Sequence, residues 1–271
     1  MRDGRRAAAR TASSRRSAIA GTTGNRATHD ALAASAAGTP PPAPGVPRFS
    51  KRFAEEWLYR ATLRNSLRAW AAAQRSSWLR VPRVLLADPR ELRIDYELLV
   101  GWKPVRTVIR HRTFQGIPPP ELRRLFWAIG AALEELHRHT RRIHGDFDFD
   151  NVLVKRGADR AVFVDFTPPD YARFPAYNRG DVYRDIALFV LLLRAKYPPH
   201  QLHLAMRAEL RELARAFVRG YFRTAPDAYD RRLLERCANE LLETTYLGES
   251  FAGRYLRRSR LFRTDDLAPT A

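Results

Sequence analysis

One stretch constrains this chain more than any other: residues 143–166, IHGDFDFDNVLVKRGADRAVFVDF. It reads as a tight polar loop, His144-Gly145-Asp146 through Asn151, followed by a short hairpin that ends in Asp165-Phe166. Residues 151–155 are apolar enough for one strand and 161–164 for the return strand. Between them, Arg156-Gly157-Ala158-Asp159 has turn chemistry, because Gly tolerates positive φ and Asp bonds its own backbone. Antiparallel pairing then sets Asn151, at the start of one strand, beside Asp165, at the end of the other. Two oxygen-bearing side chains converging on one point suit Mg²⁺, which takes a few carboxylate or amide oxygens together with substrate phosphate. Asp146, just ahead of the first strand, faces the same cleft. An Asp, an Asn and a second Asp in this order suit phosphoryl transfer.

HGDFDFDNVLV followed by VFVDF resembles the catalytic and metal-binding loops of the kinase-like phosphotransferases. The HGD form is similar to the lipopolysaccharide-core (Kdo/heptose) kinases, the aminoglycoside phosphotransferases and related atypical kinases. The resemblance implies an α+β, two-lobed protein-kinase-like fold with a reduced N-lobe and a helical C-lobe. It implies ATP and Mg²⁺ as cofactors. By the same resemblance Asp146 is the catalytic base, Asn151 and Asp165 are metal ligands, and His144 is a structural residue of the loop. Asp185 opens the apolar helix of 184–193, where an unpartnered charge would be expensive. The family's acid at that place accepts hydrogen bonds from the catalytic-loop backbone, so Asp185 is expected to be structural.

The resemblance sets expectations upstream as well. Residues 47–53 read as a short strand and 55–74 as a helix with Trp57, Leu58, Leu63, Leu67 and Trp70 at loose helical spacing. Lys51 would be the strand lysine that contacts nucleotide phosphate; an ordinary surface lysine is the other reading. Residues 81–86 and 92–100 read as two strands joined by a turn. Residues 96–101 would be the hinge between lobes, where backbone groups of Glu97 and Leu99 would read an adenine edge. The sequence departs from the family in two places. A Pro-rich run, not a Gly-rich loop, precedes Lys51, and no helix glutamate is evident to orient that lysine.

Beyond the loop, Pro118-Pro119-Pro120 introduces a helix over 121–139, with Leu122, Leu125, Phe126, Ile129, Leu133 and Leu136 on one apolar face and Glu134-Glu135 on the polar side. Thr167 stands third after Asp165-Phe166, where many kinases carry Gly. The aromatic-rich run to residue 180, with Tyr171, Phe174 and Tyr177, either lines an acceptor site or packs. Two amphipathic helices, 201–224 and 227–247, complete the C-lobe. Cys237 falls in the second, as a small core residue. Residues 251–263 interleave five Arg with Tyr255, Leu256, Leu261 and Phe262, which suits either an anionic membrane surface or a solvated basic face.

Composition bounds the remaining choices. The formal charge of +19 favours anionic partners. Residues 1–47 carry seven Arg against two Asp and almost no large apolar residues, so they are expected to be a disordered tail. The domain expectation is 48–100 as the reduced N-lobe, 101–264 as the C-lobe and 265–271 as a tail. A single cysteine excludes an internal disulfide and a cysteine metal cluster. The apolar run of 186–193 is far short of the roughly 20 residues that span a bilayer, and no secretory leader is evident. A cytoplasmic location is expected, with peripheral contact at the inner membrane face as an extension.

The leading expectation is therefore an ATP-dependent phosphotransferase acting on a hydroxyl of a glycan, lipid-linked sugar or other small molecule, anionic by the charge argument. A Ser/Thr protein kinase comes second among enzymes. A pseudokinase serving as a binding or regulatory module is the alternative that the two departures support. A nucleic-acid binder has charge alone behind it, and no base-reading motif is present, so no specific nucleic-acid partner is expected.

Overall fold

The computed structural model describes residues 45–110, 119–168, 182–195, 204–244 and 267–268. The chain is mixed α+β. Strand β1 (Arg48–Arg52) leads into helix α1 (Glu56–Ala73). Strands β2 (Leu79–Arg80), β3 (Val84–Asp88), β4 (Arg93–Glu97) and β5 (Lys103–Pro104) follow, and then the short helix α2 (Val105–Arg110). Helix α3 (Pro119–Thr140) precedes the hairpin β6 (Val152–Val154) and β7 (Ala161–Phe163). Helices α4 (Tyr183–Ala195), α5 (Leu204–Tyr221) and α6 (Arg231–Thr244) complete the described chain.

The strands make two sheets. One is antiparallel, in the order β1-β4-β3; the other runs β2-β7-β6-β5, with β2 parallel to β7 and the other pairs antiparallel. Each sheet has its own apolar cluster. Phe53, Tyr59, Val84 and Ile94 are buried between α1 and the three-stranded sheet. The larger core is built from α3, α4, α5 and α6 with the hairpin, and holds the fully buried Phe126, Phe147, Phe149, Phe163, Phe189 and Phe217. All six apolar positions predicted for the face of α3 are buried, as is Cys237.

Three expectations need correction. Glu135 lies inside, not on a polar side: it accepts from Ser76 Oγ and from Arg223 Nη2, the latter at 3.0 Å. A carboxylate with these partners is tolerated where a bare one would not be. The last helix begins at Arg231, four residues later than expected. Pro226–Ala228 forms a 3₁₀ turn, and Asp230 then caps α6 by accepting from Leu233 N at 3.0 Å. The strand expected over 81–86 begins only at Val84, as β3; Val81, Pro82 and Arg83 lie outside any strand, and Pro82 has no N–H to give. The expectations for the tail, for 171–180 and for 251–263 fall largely or wholly outside the described residues.

Candidate active site

The sequence builds the site from two backbone irregularities around one hairpin. Helix α3 ends at Thr140 because Arg141 enters the left-handed region (φ 55°), its N–H closing on His137 O at 2.8 Å. Gly145 then takes φ 89°, a conformation that strongly favours glycine. Asp148 N donates to Asp146 O and Asn151 N to Asp148 O, which curls 146–151 into a compact turn. Phe147 and Phe149 are fully buried on either side of Asp148. The two rings pin the turn to the core while Asp146 stays half-buried.

The hairpin delivers the other acid. Val152 pairs with Phe163 and Leu153 with Val162, and Val164 N donates to Asn151 O at 3.0 Å. Asp165 follows in the left-handed region (φ 57°). Asn151 Nδ2 donates to Asp146 O at 2.8 Å and to Asp146 Oδ2 at 3.0 Å. With its nitrogen so used, the amide oxygen of Asn151 remains as an acceptor. Lys51, on β1, meets Asp165 Oδ1 at 2.7 Å and donates to Thr167 Oγ1 at 2.8 Å.

The two acids have opposite electrostatics. Burial pushes the Asp146 carboxyl above the ordinary carboxylate range, and the nearby Asp148 and Asp165 add to this against the pull of His144. Burial also acts on Asp165, but Lys51 and Thr167 outweigh it and hold that carboxyl below the ordinary range. One acid is thus poised to hold or take a proton, and the other stays ionised.

Behind the loop sits Asp185, on α4 and 1 % exposed. It accepts from His144 N at 2.6 Å, from Gly145 N at 3.0 Å and pairs with His137 Nε2 at 2.9 Å. His137 is held in turn by Tyr221 Oη at 2.9 Å. His144 itself is buried, and its Nε2 donates to Val164 O at 3.0 Å, tying the loop to the strand before Asp165.

A cleft of about 620 Å³ opens beside these groups, lined by Lys51, Tyr96, Glu97, Leu99, Asn151 and Asp165 among others. That volume falls within the range of small-molecule and cofactor sites, roughly 300–1,000 Å³. Glu97 lies at its rim, but the Glu97 N–H is already given to Arg83 O at 2.9 Å and its carboxylate to Arg80 at 2.7 Å. The Tyr96 phenol lies in the same cleft, bonded to Ser66 Oγ at 3.2 Å and pushed up to about 12 by burial.

Sequence reasoning missed two contributors. Thr167 was legible only as a departure from Gly, yet its hydroxyl and Asp165 hold Lys51 between them. Asn65, in the middle of α1, donates to Phe166 O at 3.2 Å and so couples that helix to the segment after β7. A polar amide among the apolar positions of an amphipathic helix was the available signal.

The fold and site together describe a mixed α+β chain with Asp165, Asn151 and Lys51 at one cleft and Asp146 bonded to Asn151. No family model and no curated protein matches the chain. Among solved structures it is similar to "WaaP in complex with acyl carrier protein", at 15 % sequence identity and a TM-score of 0.40, over 74 % of this chain and 76 % of that one.

Proposed function

We propose that the chain is a kinase-like phosphotransferase, two-lobed, that moves a phosphoryl group from ATP to a hydroxyl. The observation that carries this reading is that Asn151 and Asp165 line one cleft, with Lys51 seated on Asp165 and Asp146 bonded to Asn151 just behind. The donor set fits Mg²⁺: a carboxylate held ionised at Asp165 and an amide oxygen at Asn151, both hard oxygen ligands. Bound Mg-ATP would supply the transferable phosphoryl group and its charge neutralisation. Lys51 would hold phosphate oxygens, moving from Asp165 to do so. Asp146, with its raised proton affinity and its fixed bond from Asn151, would orient the acceptor hydroxyl and take its proton. Asp185 and His144 would keep the loop in register.

The formal charge of +19 supports an anionic acceptor, a phosphorylated or acidic glycan or lipid-linked sugar, ahead of a protein Ser/Thr. Contact with an anionic membrane face belongs to the same proposal. Among the described residues no helix is long and apolar enough to cross a membrane.

The test is ATP consumption with Mg²⁺ over a panel of acceptors, beside Asp146→Ala and Asp165→Asn. Turnover that disappears in both variants while each stays folded supports the reading, and the best acceptor names the class. A second reading, a kinase-shaped binding module, is favoured by the direct Lys51–Asp165 pair, which takes the lysine's charge where no helix glutamate does. Absence of turnover together with absence of Mg-ATP stabilisation of the wild type would select it.

A further inference from the structure

His144 and Gly145 also line a second, smaller pocket of about 70 Å³, which shares only Phe166 with the lining of the cleft. Its other walls include Asn65 and Arg68 from α1, Thr140 from the end of α3, and Arg142. Two arginines from separate segments thus face one small space. Among the described residues neither Arg68 nor Arg142 has a carboxylate within ion-pair distance. The neighbouring acid, Asp185, is already committed to two backbone amides and His137. Burial pushes the Arg68 guanidinium below its ordinary range, and the charges of Arg142 and Arg64 add to that. Like charges held together without an acid lack their counter-charge.

A second observation points the same way. Val164 O can only accept, so His144 Nε2 carries the proton. His144 Nδ1 is buried and without a hydrogen-bond partner, on a residue of this pocket. A buried ring nitrogen without a partner calls for one from a guest. The space is far smaller than the cleft and suits a small anion.

We propose that this pocket binds a single phosphate group, with Arg68 and Arg142 as its counter-charges. Arg forks match phosphate oxygens in bidentate geometry, and a phosphate oxygen, which accepts and when protonated donates, can partner His144 Nδ1. The bound group ties α1 to the segment that leads from α3 into the turn of Asp146, because Arg68 belongs to one and Arg142 to the other. The site is separate from the cleft, so it stands whether or not the chain transfers phosphate.

The test is calorimetric titration of the full chain with inorganic phosphate at constant ionic strength set by chloride. Wild type is expected to bind saturably. Arg68→Gln and Arg142→Gln are each expected to weaken binding by roughly tenfold or more, the loss of one charge-assisted contact. Lys51→Met, which alters only the cleft, is expected to leave this binding unchanged. Arg68→Lys keeps stem and charge and is expected to retain part of it, which guards against a variant that fails to fold. Phosphoserine run beside inorganic phosphate separates the sources: tighter phosphoserine binding assigns the pocket to a phosphorylated side chain, and tighter phosphate binding to the free ion. Binding that is unsaturable in wild type, or that survives both glutamine variants, or that Lys51→Met removes, overturns the proposal.

Discussion

Lys51 Nζ and Asp165 Oδ1 are 114 residues apart in sequence and 2.7 Å apart in space. This pair joins β1 of one sheet to the segment leaving β7 of the other. It fixes the lysine that a helix carboxylate would otherwise fix, since α1 offers Ser66 to the cleft and no acid. Both partners are partly solvated, at 28 % and 38 % side-chain exposure, so the pair adds little to stability, on the order of 0–1 kcal/mol. Its weight is in chemistry. Lys51→Met is therefore expected to shift the unfolding free energy by less than about 1 kcal/mol and to lower phosphoryl transfer by roughly 10²- to 10³-fold, as for other lost transition-state donors. Denaturant unfolding beside a turnover assay reads both. A large stability loss with modest loss of rate would mean that the lysine is structural.

Asp185 presents the opposite balance. It is fully buried and carries three hydrogen bonds, two of them from the backbone of the loop. Removing one partner of a buried charged network costs roughly 3–5 kcal/mol, so Asp185→Ala is expected to be strongly destabilised or unfolded. The pH dependence follows from its titration. Burial raises the cost of its charge, but His137 and His144 outweigh it and hold the folded carboxyl below the ordinary range. Its contribution is then fully present above the unfolded carboxylate value, about 3.9, and is lost as pH falls through the lower folded value. Wild-type stability should fall along this acid limb. Asp185→Asn should show a flatter limb from a lower plateau, measured by thermal melts from about pH 7 down to about pH 3, a range that brackets the unfolded value. A variant as acid-sensitive as wild type would remove Asp185 from the account.

Asp165 and Asp185 also show how far the sequence was readable. The hairpin, its turn at Gly157, and the face of α3 follow from local rules, namely alternation, turn residues and helical spacing, and each is where those rules put it. Proximity of Asn151 to Asp146 was legible because only a short turn separates them. Lys51 with Thr167, and Asn65 with Phe166, were not, because both contacts depend on how α1 and β1 sit against the hairpin, 116 and 101 residues along the chain. Glu135 was misplaced for the same reason. Its partner Arg223 lies 88 residues away, and periodicity cannot see a buried counter-charge.

Asp146→Asn separates stability from function at a single atom pair. Burial and the nearby acids raise the folded carboxyl above its unfolded value, so ionisation of Asp146 opposes folding. For an acid shifted this way the favourable contribution is present below the unfolded value and is lost as pH rises through the folded one. Above its folded value the native protein therefore carries the unfavourable ionised form. The introduced amide keeps an oxygen for the bond from Asn151 Nδ2 and removes the charge. The variant is expected to melt higher than wild type at neutral pH, with the difference shrinking toward the unfolded carboxylate value of about 3.9, and to lose turnover. A lower melting temperature at neutral pH would show that the charge is compensated and would weaken the general-base assignment.

The two glycines at the α3–α5 crossing give the final prediction, and its sign is decided by magnitude. In an exposed helix, Gly→Ala stabilises by about 1 kcal/mol through backbone entropy. Here the helices touch at Gly130 and Gly220. A Cβ on Gly130 would press on Phe217 O and stand 2.8 Å from Tyr221 N, and one on Gly220 would press on Trp127. The obstructing atoms are backbone, so neither helix can yield locally and the axes must separate. Overpacking of this kind costs roughly 1–3 kcal/mol and at times more, which exceeds the propensity gain. Gly130→Ala is therefore expected to be net destabilised, by roughly 1 kcal/mol or more. The effect should reach the loop, because Tyr221 holds His137, and His137 holds Asp185. Urea unfolding measures the first part. Any turnover lost by Gly130→Ala under conditions where it remains folded measures the second. A stabilised Gly130→Ala variant would show that α3 and α5 do not cross at these residues.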